Sequence, residues 1–231
     1  MIFYDIHTHK SYDEDQDSPD HLCIYDVYPL EFEVRKELNA KQYFSCGIHP
    51  WYSENSTNQF PYLREILPDE RIIAIGEAGF DKLKGPSLEI QEPVFREHII
   101  LSEQLNKPLI IHAVKAWDRL IKIKQEFKPE NPWIIHGYRG SKVELTKWLV
   151  NEGFYFSLGE NINIDTTQVI PLDRLFCETD ESEVSIEDIY MQVAHALNIS
   201  LVEFASIVSK NVEKVFPMLY REFDYDSLLE E

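Results

Sequence analysis

The sequence predicts an α/β fold, a (β/α)8 TIM-type barrel, from three observations. Short apolar runs alternate with amphipathic helical patterns along the chain, which is typical of βα units around a parallel sheet. Eight such runs occur, and this barrel has eight strands. Several runs are continuously apolar, as expected for parallel strands that are covered on both faces.

The predicted strands are spaced evenly except at the beginning of the chain. They occupy residues 2–6, 22–28, 43–48, 72–75, 109–111, 133–135, 154–156 and 175–177. Only 12 residues separate His9 from Leu22, and they are mostly acidic or polar, with the acidic residues 13–17 predicted as a loop. A crossover helix needs more apolar residues than this segment has. The barrel is therefore predicted to be distorted or shortened near its first βα unit.

The helices are predicted from capping signals and from apolar residues at helical spacing. Ser87 is a predicted N-cap for a helix that runs to about residue 105, with Pro93 near its first turns. Ser185 and Ser200 each precede an acidic residue by three positions, which resembles a capping box. Apolar stripes are formed by Trp117, Leu120, Ile121 and Ile123 and by Ile189, Tyr190, Val193, Ala194 and Leu197.

Charge and composition narrow the function classes. The 41 acidic and 22 basic side chains give a formal charge of −19, which favours solubility and argues against nucleic-acid binding by a polycationic surface. Phosphate chemistry in such a chain would need metal ions or a few well-placed lysine and arginine residues. No apolar run approaches the roughly 18 residues of a membrane helix, and the N-terminus has no signal-peptide pattern. We expect a cytoplasmic protein with no membrane contact and no stable protein partner.

The domain organisation and the cysteines give simpler predictions. The chain shows no repeat, linker or low-complexity tract, so residues 1–231 are predicted to form a single domain, with a tail at residues 222–231 that is partly ordered. Cys23, Cys46 and Cys177 are odd in number and lie in apolar stretches without a Cys-x-x-Cys motif. They are predicted to be small buried hydrophobic residues in a reducing compartment.

Histidines follow directly on the predicted strands. Five of the eight histidines lie there: His7, His9, His49, His112 and His136. Because the carboxyl ends of all strands in a parallel barrel face one rim, these side chains should converge although they are far apart in sequence.

The sharpest local feature is the pair His7 and His9. Residues at positions i and i+2 of an extended chain point to the same side, so both imidazoles can reach one cation. Alone this pattern is weak, since two partly exposed histidines at a strand end would satisfy it. Glu77 and Asp180 also follow predicted strands, and burying such groups is costly unless they are paired. A metal cluster would pair all of them at once.

The predicted ligands outnumber the needs of one ion. Four imidazoles and two carboxylates, from His7, His9, His112, His136, Glu77 and Asp180, suit two divalent ions with a carboxylate between them. Mixed imidazole and carboxylate ligands fit Zn²⁺, Mn²⁺ or Fe²⁺ better than Ca²⁺. Mg²⁺ is a further predicted candidate. Two such ions would hold an anionic group and activate a water, which predicts a hydrolase.

An ordered set of motifs covers nearly the whole chain. These motifs are Asp5-Ile6-His7-Thr8-His9, Gly47-Ile48-His49-Pro50, Ile75-Gly76-Glu77-Ala78-Gly79-Phe80-Asp81, residues 108–112, Ile135-His136-Gly137-Tyr138-Arg139-Gly140-Ser141, Glu178-Thr179-Asp180 and Asn211 with Val215-Phe216. With this set the chain resembles the TatD-like metal-dependent hydrolases of the amidohydrolase superfamily. The resemblance implies a (β/α)8-type barrel that hydrolyses phosphodiesters, often in DNA, and thus a nucleic acid as substrate.

The resemblance also implies roles for individual residues. His7, His9 and Asp180 would hold one metal ion, His112 and His136 a second, and Glu77 would bridge them. Glu77 and Asp180 are the implied catalytic residues, and Asp180 would also take the proton from the attacking water. His49 would contact a substrate phosphate beside the metals.

The chain departs from the family pattern at positions that contact substrate. Glu181-Ser182-Glu183 follows Asp180, Ala113-Val114-Lys115 follows His112, and Tyr138-Arg139-Gly140 follows the histidine of the sixth strand. All six implied ligands are retained. Lys115 and Arg139 are predicted substrate contacts, and further positive charge could come from Lys10, Lys82 and Lys142.

Three functions remain open at this point. The first is a DNase-like phosphodiesterase. The second is hydrolysis of a small phosphate ester, amide or lactone, because the Asp-x-His-Thr-His beginning also occurs in the PHP phosphoesterases; the charge of −19 favours this smaller substrate. The third is a metal-binding barrel without activity, suggested by the altered loops after His112 and Asp180.

Overall fold

The strands form one eight-stranded sheet in which every neighbouring pair is parallel and the strand order follows the chain. This computed structural model describes residues 1–10, 20–38 and 42–220. The strands are β1 (Phe3–Thr8), β2 (His21–Val27), β3 (Tyr43–Cys46), β4 (Ile72–Asp81), β5 (Leu109–Val114), β6 (Trp133–Ile135), β7 (Tyr155–Leu158) and β8 (Leu175–Cys177). The predicted (β/α)8 barrel is confirmed.

The sheet closes where its first and last strands meet. Thr8 of β1 and Asp180, just after β8, form an isolated parallel bridge. The backbone N–H of Asp180 donates to the carbonyl of His7 at 3.0 Å, and the N–H of His9 donates to the carbonyl of Asp180 at 3.1 Å. These bonds place three predicted metal ligands side by side.

A helix follows each strand from β2 to β8. The helices are α1 (Phe32–Leu38), α2 (Ser56–Ile66), α3 (Leu88–Leu105), α4 (Trp117–Phe127), α5 (Val143–Asn151), α6 (Ile164–Thr167), α7 (Ile186–Leu197) and α8 (Leu201–Val215). The predicted loop at residues 13–17, most of the predicted distortion before β2, and the tail at residues 222–231 lie outside the described residues. Single-domain organisation stays a prediction.

Two predicted helix caps are confirmed by side-chain hydrogen bonds. For the third, only the position of the N-cap residue is confirmed. The Ser185 hydroxyl accepts from the N–H of Asp188 at 3.1 Å, and Ser200 accepts from the N–H of Glu203 at 3.2 Å. Ser87 is the N-cap residue of α3, but its side chain makes no capping hydrogen bond.

The predicted ends of β1, β4 and β5 were wrong. The apolar run that predicted β4 ended at residue 75, but β4 continues to Asp81 because Gly79 and Asp81 still pair with His112 and Val114 of β5. His7, Glu77 and His112 therefore lie within strands rather than after them. Pairing with a neighbouring strand outweighs the weak strand propensity of these residues.

Burial of the cysteines and of the helices follows the apolar pattern. Cys46 and Cys177 are buried as predicted, whereas Cys23 is half-buried because alternate residues of β2 point away from the core.

Among the described residues no single helix is long and apolar enough to cross a membrane, and α7 with α8 meets that requirement only as a pair bent by 105°.

A buried histidine outside the rim ties α3 to the segment after β3. His98 is fully buried; its Nε2 accepts from the N–H of Ile48 at 2.9 Å, and its Nδ1 lies 2.8 Å from the carbonyl oxygen of Val94. Burial lowers its pKa from 6.5 to about 4, although the bond to Val94 acts in the opposite direction. The neutral ring of His98 therefore satisfies two backbone groups, the N–H of Ile48 and the carbonyl of Val94. It also holds Ile48, the residue before His49, in place.

We expect His98→Leu to lower the free energy of unfolding at pH 7 by about 2–3 kcal/mol, because the N–H of Ile48 stays buried without a partner. In the unfolded chain His98 has the higher pKa, so as the pH falls it binds a proton before the folded protein does. The wild type therefore loses stability as the pH falls below 6.5 toward 4, by about 2 kcal/mol at pH 5. Urea unfolding in EDTA should show the difference between the two proteins shrinking from pH 7 to pH 5. A difference that does not change with pH would contradict the buried neutral ring.

Candidate metal centre

Strands from opposite sides of the barrel bring the predicted metal ligands to one rim. His7 lies on β1 and His9 directly after it, while Glu77 and His112 lie on β4 and β5. The two remaining ligands, His136 and Asp180, follow β6 and β8. Five triplets among these residues and three neighbours have ligand atoms within 4.8 Å of one another: His7, His9 and Asp180; His7, Glu77 and His136; His49, Glu77 and His112; His9, Asp26 and Glu77; and His136, Glu178 and Asp180.

Glu77 lies at the middle of the cluster, and its two oxygens face different histidines. Oε2 lies 3.6 Å from Nε2 of His7 and 3.5 Å from Nε2 of His9. Oε1 lies 2.6 Å from Nε2 of His136 and contacts Nδ1 of His112. The side chain is buried, so one carboxylate connects two imidazole pairs in a site shielded from water.

Asp180 completes the side of the cluster that His7 and His9 occupy. Its Oδ1 lies 3.8 Å from Nε2 of His7 and 3.6 Å from Nε2 of His9. The preceding residue is anchored to β1, because the Thr179 hydroxyl donates to Asp5 at 2.6 Å and its N–H donates at 3.0 Å. The Asp180 side chain is 42% exposed, which makes it the most exposed of the six predicted ligands.

His7 is the residue that tests whether the cluster fits a metal. It is fully buried, and neither ring nitrogen has a hydrogen-bond partner among the residues that the structure describes. Burial, together with the neighbouring His136, holds its pKa well below the usual range, so the imidazole is neutral. A neutral buried ring without a partner costs free energy in a folded protein unless it binds a cation. The donor set therefore fits divalent metal ions.

The charges within the cluster complement each other. Burial acts to raise the pKa of Glu77, but the charge of His136 and the hydrogen bonds of the surrounding imidazoles hold it well below its usual range. Burial acts to lower the pKa of His9, yet Glu77, Asp26 and Asp180 raise it to about 9. Burial raises the pKa of Asp180. Glu77 is thus anionic, which is the form of a carboxylate that can bind a cation.

Three further carboxylates orient the imidazoles. Asp26 Oδ2 lies 3.7 Å from Nδ1 of His9. Asp81 Oδ2 lies 3.2 Å from Nε2 of His112 and accepts from the indole N–H of Trp51 at 2.7 Å. The third, Glu178, is fully buried, with Oε1 at 3.2 Å from Nδ1 of His136. Such carboxylates fix the ring orientation and raise the basicity of metal-binding histidines.

These carboxylates were missed as functional residues in the sequence. Asp26 also accepts from the backbone N–H of Glu77 at 3.0 Å and from the Ser45 hydroxyl at 2.8 Å, so it positions the central carboxylate. A signal was present, because Asp26 shares the inward face of β2 with the apolar residues Leu22 and Ile24. An acidic residue on an apolar strand face indicates a buried polar contact.

The predicted substrate contacts lie around the cluster. His49 is buried, and its Nε2 lies 3.3 Å from Oε1 of Glu77, so it is close enough to join the ligands. Lys115 and Arg139 are exposed and line a cavity of about 830 Å³ that reaches His112 and His136. Lys142 lines this cavity too. Two other predicted sources of charge, Lys10 and Lys82, do not line it.

A parallel barrel with buried imidazoles and carboxylates at the carboxyl ends of its strands defines the class of metal-dependent hydrolases. The family model "TatD related DNase" matches residues 30–217. The chain belongs to this TatD family, and the predicted resemblance is confirmed.

Curated relatives agree with this class. An uncharacterized metal-dependent hydrolase of Buchnera aphidicola subsp. Baizongia pistaciae is 30% identical over 200 residues, 77% of this chain and 75% of the relative. The relative YcfH of Escherichia coli, also an uncharacterized metal-dependent hydrolase, is 27% identical over 195 residues, 75% of this chain and 73% of its own. A 3'-5' ssDNA/RNA exonuclease TatD of Pantoea ananatis is 28% identical over 178 residues, 69% of this chain and 66% of its own.

Solved structures share the fold. The TatD homologue YJJV of Escherichia coli K12 superposes with a TM-score of 0.80 at 19% identity, covering 93% of this chain and 98% of its own. A TatD family hydrolase of Entamoeba histolytica gives a TM-score of 0.72 at 21% identity, covering 94% and 98%. The protein is therefore a TatD-type metal-dependent hydrolase.

Proposed function

We propose that this protein hydrolyses phosphodiester bonds of nucleic acid at a centre of two divalent metal ions. The observation that carries the proposal is the position of Glu77, whose two oxygens face separate imidazole pairs. His7, His9 and Asp180 would hold one ion, His112 and His136 would hold the other, and Glu77 would be a ligand shared by both. When bound, the ions supply an electrophile for a phosphate oxygen and lower the pKa of a water molecule.

The chain's own residues place and move the proton of the reaction. Asp180 is the proposed proton acceptor, because it is the one proposed ligand with a carboxylate that is 42% exposed and faces the cavity. Glu77 is too buried and too fully surrounded by imidazoles for this role. His49 lies beside Glu77 and is proposed to contact a phosphate oxygen, and Lys115 and Arg139 neutralise further charge along the cavity.

The cavity favours nucleic acid over the alternative of a small phosphate ester, amide or lactone. A volume of about 830 Å³ is at the upper end for small-ligand sites. The cavity is lined by three basic side chains, Lys115, Arg139 and Lys142, together with Glu160, Glu178, Asp180 and Glu181. A single phosphate on a small ester would reach the metal ions without Lys115 or Arg139. Cytoplasmic location and the lack of a stable protein partner stay predictions.

The test is hydrolysis of labelled single-stranded DNA by the Mn²⁺-loaded protein, with metal content measured by mass spectrometry. We expect two ions per chain and cleavage that EDTA abolishes and Mn²⁺ restores. Bis-p-nitrophenyl phosphate and a phosphate monoester are assayed in parallel. Turnover of the monoester alone would establish the small-substrate alternative, and two bound ions without turnover of any substrate would establish a non-catalytic metal-binding barrel.

A further inference from the structure

A second cavity continues the cavity at the metal centre toward the outside of the barrel. The inner cavity of about 830 Å³ has His136 and Asp180 in its wall. The outer cavity measures about 470 Å³ and extends to Trp148 on α5. Four residues line both cavities: Lys115, Trp117, Lys142 and Leu145. An extended ligand bound at the metal centre can therefore continue outward along one surface.

The outer cavity carries an excess of basic side chains in a chain whose formal charge is −19. The basic residues that line it are Lys82, Lys115, Arg119 and Lys142, against the acidic residues Asp118 and Glu144. Arg119 is paired with Glu89 at 3.2 Å. Within the described part of the chain none of the three lysines forms an ion pair with a carboxylate, so their charge is available to an anion.

An exposed tryptophan lies at the far end of this basic surface. Trp148 is 43% exposed, which is unusual for so large an apolar side chain. Its indole N–H donates to Oε1 of Glu152 at 3.2 Å, which restrains the orientation of the ring. Aromatic faces beside lysines bind unpaired bases and their phosphates, and stacking on them is tolerant of sequence.

Backbone donors add to the same surface. The N-cap positions of α4 and α5 are Ala116 and Lys142, which line the outer cavity and give no side-chain capping hydrogen bond. The first-turn N–H groups of both helices therefore lack a capping side chain, and such groups bind phosphate oxygens.

We propose that the outer cavity is a second subsite, which binds single-stranded nucleic acid beyond the nucleotides at the metal centre. Trp148 stacks on a base, and Lys82 and Lys142 neutralise phosphates on either side of it. The proposal rests on the proposed function and specifies it further, because the subsite makes an oligonucleotide a better substrate than a dinucleotide. It also explains how an acidic protein holds a polyanion, since basic residues are grouped in the cavity where the nucleic-acid strand would lie.

The first measurement is binding of a fluorescein-labelled oligomer of twelve thymidines, followed by anisotropy in EDTA so that no hydrolysis occurs. We expect Trp148→Ala to raise Kd roughly tenfold, and Trp148→Phe to recover most of the affinity, because stacking on one aromatic ring is lost and then restored. Lys142→Ala should also reduce the slope of log Kd against log salt by about 0.7. Lys147→Ala removes the same charge from α5 outside both cavities and should change neither quantity.

The second measurement separates the subsite from the proposed function. With Mn²⁺ present, Trp148→Ala should lower kcat/KM roughly tenfold for the oligomer and leave the thymidine dinucleotide unchanged. Equal losses for both substrates, an unchanged Kd in Trp148→Ala, or tighter binding of a duplex than of the single strand would overturn the subsite. A wild type that binds the oligomer but cleaves neither substrate would contradict the proposed function, while the Kd values still decide the subsite.

Discussion

Glu77→Gln is expected to lower kcat/KM for single-stranded DNA by about 10³-fold, with the fold retained. Glutamine preserves the shape of the side chain but has one oxygen where Glu77 has two, and its amide nitrogen has no lone pair for a metal. The single remaining oxygen could then face only one of the two imidazole pairs. The four imidazoles would also lose the anion that lies 2.6 Å from His136 and 3.5 Å from His9.

The metal content of Glu77→Gln distinguishes this explanation from a simple loss of charge. We expect fewer than two bound ions per chain at metal concentrations that saturate the wild type, and an unchanged circular dichroism spectrum. Glu97→Gln is the matched control, because Glu97 pairs with Arg64 at 2.6 Å on the surface, away from the rim. If Glu77→Gln kept both ions and full activity, the bridging role of Glu77 would be wrong.

The positions of the metal-binding candidates were predictable because they depend on a simple periodic rule. The carboxyl ends of parallel strands in a barrel face one rim, so histidines near the ends of several strands are enough to predict that they converge. His7 and His9 could be placed on one side of the chain from their spacing alone. The resemblance added the pairing of residues with ions, which stays a prediction. The structure shows that the two oxygens of Glu77 face different imidazoles.

The rest depends on pairing between segments that are distant in the sequence. The role of Asp26 requires the register that places it opposite Ser45 and beside Glu77, and no local pattern in β2 determines that register. The outer cavity depends on how α4 and α5 are spaced around the barrel, which places Trp148 and Lys82 in the wall of one cavity. The length of β4 depends on whether β5 pairs with it beyond residue 75.

That pairing depends on a glycine. We expect Gly79→Ala to lower the free energy of unfolding by more than about 4 kcal/mol, or to prevent folding. Gly79 has a φ of +146°, and a Cβ there would lie 2.2 Å from the carbonyl oxygen of His112, a backbone atom that cannot move without breaking the β4–β5 pairing. Urea unfolding of the metal-free proteins measures the loss without a contribution from the ions.

Gly153→Ala separates the close approach from the backbone conformation. Gly153 also has a positive φ, +79°, but the nearest atom to its added Cβ is the Lys124 Cε at 4.0 Å. Only the conformational cost remains there, about 1–2 kcal/mol. Equal losses in the two variants would mean that the contact with His112 contributes nothing. A much larger loss for Gly79→Ala would show that the close approach of β5, together with a φ of +146°, requires glycine at this position.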